Sequence, residues 1–501
     1  MTENQDVRLN SDHQGSGIKP TGDHQGGGLK RSLRSRHLNM IAIGGAIGTG
    51  LFVASGATIS QAGPGGALLA YVLIGFMVYF LMQSLGEMAT FLPVSGSFEE
   101  YGTRFVSPSF GFATGWNYWY NWAITVAAEL VAAAIVMQFW FPNVPGWIWS
   151  LSFLAILFLI NAFSVRSFGE GEFWFAGIKV VTVLVFLALG LLMIVGIMGG
   201  TSPGFQNWVK GDAPFVNGGT GILAVFMIAG FSFQGTEMLG IAAGEAEDPR
   251  TAVPRATRSV FWRILIFYIG AIAVVGFLVP YTDSALLNPN GDITLSPFTL
   301  VFDRAGIAAA ASIMNTVILT SVLSAGNSGL YVSTRMLYAL ATRGHAPRMF
   351  ARTTRRGIPM PALLATTAVG ALGFFLSLLG NGVAYTWLVN ASGLAGFITW
   401  VCIAWCHLKF RRAYLAQGND VKDLPYADKF YPFGPIIALI MCVIVIFGQN
   451  YEALIGNGDF LGLLSSYIGI PLFLVLWVGH KAVTKSHGVT LLTADLKQSG
   501  E

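Results

Sequence analysis

The sequence predicts an all-α polytopic membrane protein of about twelve transmembrane helices. Three observations carry that prediction. The first is composition: of 501 residues, 54% are hydrophobic and 11% charged, where an ordinary soluble domain has about 25% charged. The second is distribution. The apolar residues gather in blocks of about 20, the length that crosses a hydrocarbon core as a helix. These blocks recur as far as the C-terminal region, so a cleaved signal sequence does not explain them. The third is the placement of basic residues. With the N-terminus inside and the spans alternating, all of the 29 Lys and Arg except Lys179, Lys210 and Arg304 lie on or near the inner side. That bias orients membrane proteins, so both termini are expected in the cytoplasm. It also accounts for the basic clusters without nucleic acid as a partner.

Residues 1–37 read as a disordered cytoplasmic leader, polar and rich in Gly, Asp and Gln. It closes on the basic cluster Lys30, Arg31, Arg34 and Arg36. Spans one and two are placed at 38–62 and 66–90, divided by Gln61-Ala62-Gly63-Pro64-Gly65. Spans three to ten are placed at 110–138, 146–164, 173–198, 220–244, 260–280, 302–336, 361–379 and 384–407. The ninth and tenth are divided near Gly380-Asn381-Gly382. Spans eleven and twelve are placed at 433–449 and 464–482, within 410–482, and 483–501 is a cytoplasmic tail. The 61 glycines suit a tightly packed bundle with unwound parts. Cys402, Cys406 and Cys442 all fall in apolar blocks and read as small buried hydrophobes.

Two spans carry residues that a regular helix resists. Span one reads Ile43-Gly44-Gly45-Ala46-Ile47-Gly48-Thr49-Gly50, and such glycine density in mid-span favours unwinding. Span six reads Gly230-Phe231-Ser232-Phe233-Gln234-Gly235-Thr236-Glu237. Breaks at corresponding places in two halves point to a secondary transporter built as a five-plus-five inverted repeat. The repeats would cover 38–198 and 199–409. Unwound backbone offers N–H groups to a carboxylate and C=O groups to an ammonium. Together these suit a zwitterionic amino acid. Thr49 and Gly50 are therefore expected at the substrate carboxylate, and the carbonyls of Ala46, Ile47 and Phe231 at its amine. Ser232 belongs to the same break, and the Phe231 ring can cover the substrate.

Ionisable groups inside spans are costly and are functional candidates by default. Glu237 stands beside the sixth-span break, where it can accept a coupling proton or counter a cationic side chain. Glu129 lies midway along span three. Glu245 lies near the inner end of span six. Glu87, near a helix end, reads as half of a structural ion pair. Lys179 lies in span five with no charged neighbour in that span, and its ammonium can fill a cation site.

Several stretches carry a family likeness: MIAIGGAIGTGLFVASGATISQAGPGG at 40–66, Pro93-Val94-Ser95-Gly96-Ser97-Phe98, and FSFQGTEMLGIAAGEAEDP at 231–249. LSAGNSG at 323–329 and YIGIPLF at 467–473 agree with them. Over about 30–485 the chain resembles the amino acid–polyamine–organocation superfamily, specifically its bacterial amino acid permeases and, among them, the lysine-specific ones. The resemblance implies two inverted five-helix repeats with discontinuous helices one and six, followed by two further helices. It implies a carboxylate-binding turn at 47–50 and an amine and side-chain site at FSFQGTE, with Glu237 as the membrane acid. It makes Lys179 the fifth-helix lysine that stands in place of a sodium ion. The coupling ion is then the proton, sodium is not expected, and no other cofactor or metal is implied. Lysine selectivity would use Glu237, with Glu129 or Glu245, against the substrate ε-ammonium.

The expected function is proton-coupled import of L-lysine across the bacterial cytoplasmic (inner) membrane by alternating access. The same fold also serves arginine, histidine or an aromatic amino acid, or an exchanger, and the residues alone barely separate these cargoes. A transporter-like membrane sensor is the reading from another class; a transporter can also report its substrate to a membrane regulatory partner. Oligomeric state is not legible in the sequence. No nucleophile elbow, phosphate loop or metal-ligand spacing points to an enzyme.

Overall fold

The computed structural model describes residues 40, 47–94, 96–163, 165–284, 286, 296–304, 306, 308–377, 381–450, 454 and 460–497. The leader 1–37 and the candidate Ala46 lie outside the described residues. Every regular element among the described residues is helical. Seven helical stretches there are long and apolar enough to cross a membrane, and the chain is a multi-pass membrane protein.

A π-helical turn, Gly50–Ala54, runs directly into α1 (Ser55–Phe91). Inside α1, Gly63 leaves helical geometry at φ +76° and ψ 170°, followed by Pro64. This divides the first two apolar blocks inside the predicted interval 61–65. Glycine is needed there because a side chain resists that φ. The freed N–H groups of Gly65 and Gly66 both donate to the Pro214 carbonyl, at 2.9 and 3.1 Å. A short helix, α2 (Ser97–Phe105), leads to α3 (Pro108–Met137). Pro108 opens α3, and the Ser107 hydroxyl caps it by accepting the Phe110 N–H at 3.2 Å.

α4 (Gly146–Phe163) and α5 (Val165–Ile194) follow. α5 starts at Val165 rather than at the predicted 173, because hydropathy detects the apolar part of a helix and not its polar first turns. The sixth block forms α6 (Gly218–Phe233) and α7 (Met238–Ala243). The seventh forms α8 (Pro249–Arg263), a π-helical segment Ile264–Gly270, and α9 (Ala271–Leu278). α8 begins with Pro249, well before the predicted 260, for the same reason: Arg250, Arg255 and Arg258 hide it from a hydropathy scan. The predicted eighth span merges two helices, α10 (Pro297–Arg304) and α11 (Ala308–Thr342). α12 (Met360–Ser377), α13 (Asn381–Ala416) and α14 (Phe433–Gly448) come next. The last block is split at Ile468 into α15 (Phe460–Tyr467) and α16 (Gly469–Thr484).

α3 is the centre of the molecule. It packs against α2, α4, α11, α12, α13 and α16. Most of α3 is buried, while most of α4 is not. α4 instead turns Ile156, Leu159, Ile160 and Phe163 outward, as a lipid-facing helix does. In lipid, helices associate through close packing and small residues. A Cβ on Gly373 of α12 would stand 2.7 Å from Ala127 Cβ of α3, and one on Gly190 of α5 only 2.3 Å from Val274 of α9.

At one end of the bundle α1 is braced to α13. Arg411 donates through Nε to Glu87 Oε1 at 2.6 Å and through Nη2 to Oε2. The Asp428 N–H reaches Glu87 Oε2 at 2.6 Å, and His407 Nε2 lies 3.2 Å from Oε1. Glu87 is fully buried. The sequence reading of Glu87 as a structural partner agrees with this geometry. Arg411→Ala would strand a buried carboxylate, so it is expected to destabilise the folded protein by about 3–5 kcal/mol. Thermal unfolding of purified protein in detergent measures this; an unchanged midpoint would refute it.

The chain beyond α16 is tied down. The Val489 N–H donates to Val106 O at 2.8 Å, and Gln417 Nε2 donates to Leu491 O and Ala494 O at 3.1 and 2.8 Å. Arg104 Nη1 reaches Lys497 O at 3.0 Å and Asp495 Oδ2 at 3.2 Å. These residues thus join the end of α13 to α2 and the turn that follows it.

Candidate functional site

The site grows from the break between α6 and α7. Gln234 is extended at φ −61° and ψ 146°, and Gly235 takes φ +95°. Only glycine adopts that φ without strain. The helical ladder stops here, so its backbone groups need other partners. Phe231 O accepts the Gln234 N–H at 3.2 Å, and Phe233 O accepts the Thr236 hydroxyl. Both Glu237 oxygens accept the Gly235 N–H, at 3.1 and 3.2 Å, and Trp400 Nε1 donates to Oε2 at 3.3 Å. Glu237 is thereby fixed at the start of α7, 2% exposed.

The first block supplies the opposite wall. Ile47 and Gly48 are non-helical, and the π-helical turn starts immediately after Thr49. π turns widen a helix and often mark functional places. The two interrupted segments touch: a Cβ on Gly50 would lie 2.5 Å from Ser232 Cα and 2.9 Å from Ser232 N. Two tyrosines hold them. Tyr385 of α13 hydrogen-bonds the Thr49 hydroxyl, and Tyr71 of α1 hydrogen-bonds the Ser232 hydroxyl at 2.8 Å.

Glu129 of α3 reaches the same place. A Cβ on Gly48 would stand 3.0 Å from Glu129 Oε1 and 2.9 Å from Ala325 Cβ of α11. The Thr49 backbone N–H and the Lys179 ammonium both act on this carboxylate. Lys179 is fully buried on α5, and its Nζ lies 4.0 Å from Glu172 Oε1. Glu172 in turn accepts the Ser324 hydroxyl of α11 on both oxygens, at 2.9 and 3.1 Å.

The structure therefore gathers Ile47, Thr49, Gly50, Phe231, Ser232, Glu129 and Glu237 around two touching helix breaks, with Lys179 paired to Glu172 on α5. Glu245 has partners of its own. The Tyr331 hydroxyl donates to it, and Arg335 Nε lies 3.4 Å away with its guanidinium over the Tyr331 ring. It is engaged in an ion pair with α11.

Other residues at the site carried little sequence signal. Tyr385, Tyr71 and Trp400 are ordinary polar aromatics by sequence. The partners of Gln234, whose Nε2 donates to Ser392 O and Gly393 O, both at 3.2 Å, carry no sequence signal either. Ser392 also donates to Asn121 Oδ1 at 2.8 Å. Glu172 did carry a signal, an acid next to an apolar block, but the predicted span began one residue after it. The reading of Lys179 as lacking a charged neighbour in its span is corrected by the same extension of α5. Among the described residues no cluster of three or more His, Cys, Asp or Glu is arranged to hold a metal ion.

Residues 37–492 match the family described as amino acid permease. The chain belongs to that family. This permease is also similar along most of its length to several characterised relatives. It is 59% identical to the lysine-specific permease LysP of Escherichia coli K12, over 92% of this chain and 95% of that one. It is 56% identical to LysP of Lactococcus lactis, over 94% of this chain and 93% of that one. It is 51% identical to the histidine permease HisP of the same Lactococcus strain, over 94% and 98%. A permease moves its cargo without altering it.

Proposed function

We propose that this permease is a proton-coupled symporter that imports L-lysine across the bacterial cytoplasmic membrane. The observation that carries the reading is the contact of Gly50 with Ser232, which joins two interrupted helices into one site flanked by the buried carboxylates Glu129 and Glu237. Broken helix ends suit the carboxylate and amine of an amino acid, and a buried carboxylate suits a cationic side chain. Thr49 and Gly50 would bind the substrate carboxylate; the carbonyls of Ala46, Ile47 and Phe231 would bind its amine; Ser232 would line the break. Glu237, with Glu129 or Glu245, would face the ε-ammonium. Glu237 and Lys179 would handle the coupling proton, with Lys179 in the place a sodium ion would take.

In this reading twelve spans cross the membrane, both termini are cytoplasmic, and helices one to five and six to ten form inverted repeats. Substrate and proton enter from outside, and the two broken helices rock with their bundle to open inward. The names of the relatives favour lysine. A histidine permease at 51% identity keeps histidine as the second cargo.

Purified protein in proteoliposomes should accumulate radiolabelled lysine when an inward proton gradient is imposed, with excess arginine, histidine and aromatic amino acids competing weakly. No accumulation under any proton gradient would sink the symport reading. Stronger competition by histidine than by lysine would change the cargo.

A further inference from the structure

Glu172 is a buried carboxylate that the scheme above does not use. It is fully buried, as is Lys179, and the two occupy one helix seven residues apart. Seven residues are about two turns, so both lie on nearly the same face. Helical side chains lean toward the N-terminus of their helix. The Lys179 chain therefore runs back toward Glu172, which is where its Nζ is found, 4.0 Å from Oε1. The carboxylates of Glu172 and Glu129 both act electrostatically on this ammonium.

Glu172 is thus paired with this ammonium, and the Glu129 carboxylate acts on it from the first break. With all three groups charged, the buried cluster would carry one excess negative charge, which a low-dielectric interior disfavours. One proton within the cluster would balance that charge. The two acids have different surroundings. Glu129 borders Gly48 and Thr49 at the first break. Glu172 is held by Ser324, the residue next to Ala325, which itself packs against Gly48. Movement of the first break against α11 therefore bears on both acids.

We propose that Glu172 is a proton-handling residue of the transport cycle, the inner station from which the coupling proton leaves. The step is a proton transfer alone. The Lys179 ammonium gives a proton to the Glu172 carboxylate and regains one from the Glu129 carboxyl; Glu172 then releases its proton to water as the inner side opens. Glu172 precedes Lys179 on α5, which in the proposed orientation puts it nearer the cytoplasm. This inference rests on the proton-symport reading.

The test compares two modes of lysine transport in proteoliposomes. Counterflow exchanges lysine for lysine without net proton movement, while gradient-driven accumulation requires proton release. Glu172→Gln should keep counterflow within about twofold of the parent and lose gradient-driven accumulation by at least about tenfold. Glu172→Asp should recover most of it. Ser324→Ala, which leaves all three ionisable groups in place, should shift the pH profile of accumulation and leave counterflow unchanged. Retained accumulation in Glu172→Gln overturns the proposal. So does an equal loss of both modes in Glu172→Gln and Glu172→Asp, or an unaltered pH profile in Ser324→Ala. Failure of the unsubstituted protein in both modes would overturn the symport reading instead.

Discussion

Gly50→Ala is expected to reduce lysine uptake at least about 100-fold, because displacing a site by about 1 Å can cost that much. The added Cβ would stand 2.5 Å from Ser232 Cα, 2.9 Å from Ser232 N and 3.1 Å from Ser232 Oγ. Two of those three atoms are backbone, so no rotamer change relieves the clash. The two interruptions must separate, and Thr49 and Ser232 must shift from Tyr385 and Tyr71. Overpacking of this kind costs about 1–3 kcal/mol, so the protein should still be recovered folded. Gly219→Ala is the matched control on α6, since an added Cβ there meets nothing within 4 Å. Initial uptake rates in proteoliposomes, normalised to folded protein, decide the matter. Gly50→Ala uptake within threefold of the control would mean that the close approach is not needed for transport.

Glu237→Gln is expected to lower gradient-driven lysine uptake by about 10- to 100-fold, the size of a lost charge-assisted hydrogen bond of about 1.5–3 kcal/mol. The carboxylate accepts from Gly235 N–H on both oxygens and from Trp400 Nε1 on one. A carboxamide has one acceptor oxygen, so one of its positions would present N–H to another N–H. The substitution also removes a negative charge from the second break. The two losses can be separated by measuring lysine and histidine binding to purified protein near pH 8, where histidine is neutral. If the charge serves the cationic side chain, lysine binding falls much further than histidine binding. Glu237→Asp keeps the charge and should retain part of the activity. Near-normal uptake by Glu237→Gln would remove Glu237 from the mechanism.

What the sequence revealed follows from how each feature is encoded. A break that needs Gly235 at positive φ shows itself, because glycine and polar residues in mid-span are conspicuous. Gly63 and Pro64 show themselves for the same reason. Glu129, Glu237 and Lys179 stand out as charges in apolar surroundings. Helix ends are less visible. The first turns of α5 and α8 are polar, so hydropathy began both helices too late, and in α5 that hid Glu172. Pairings are least visible. Nothing about Glu245 alone indicates that Arg335 and Tyr331, on another helix, engage it. Tyr385 and Trp400 likewise resemble any interfacial aromatic until the fold sets them beside Thr49 and Glu237.

The segment after α16 has a practical consequence for observing the permease at work. It is bonded at Gln417 on one side and at Arg104 and Val106 on the other. Any stroke of α2 relative to α13 must stretch it or break those bonds. Leu492, between the anchored positions, is 73% exposed. A fluorophore placed there would sit on a built-in strain gauge, reporting motion of α2 against α13 in real time.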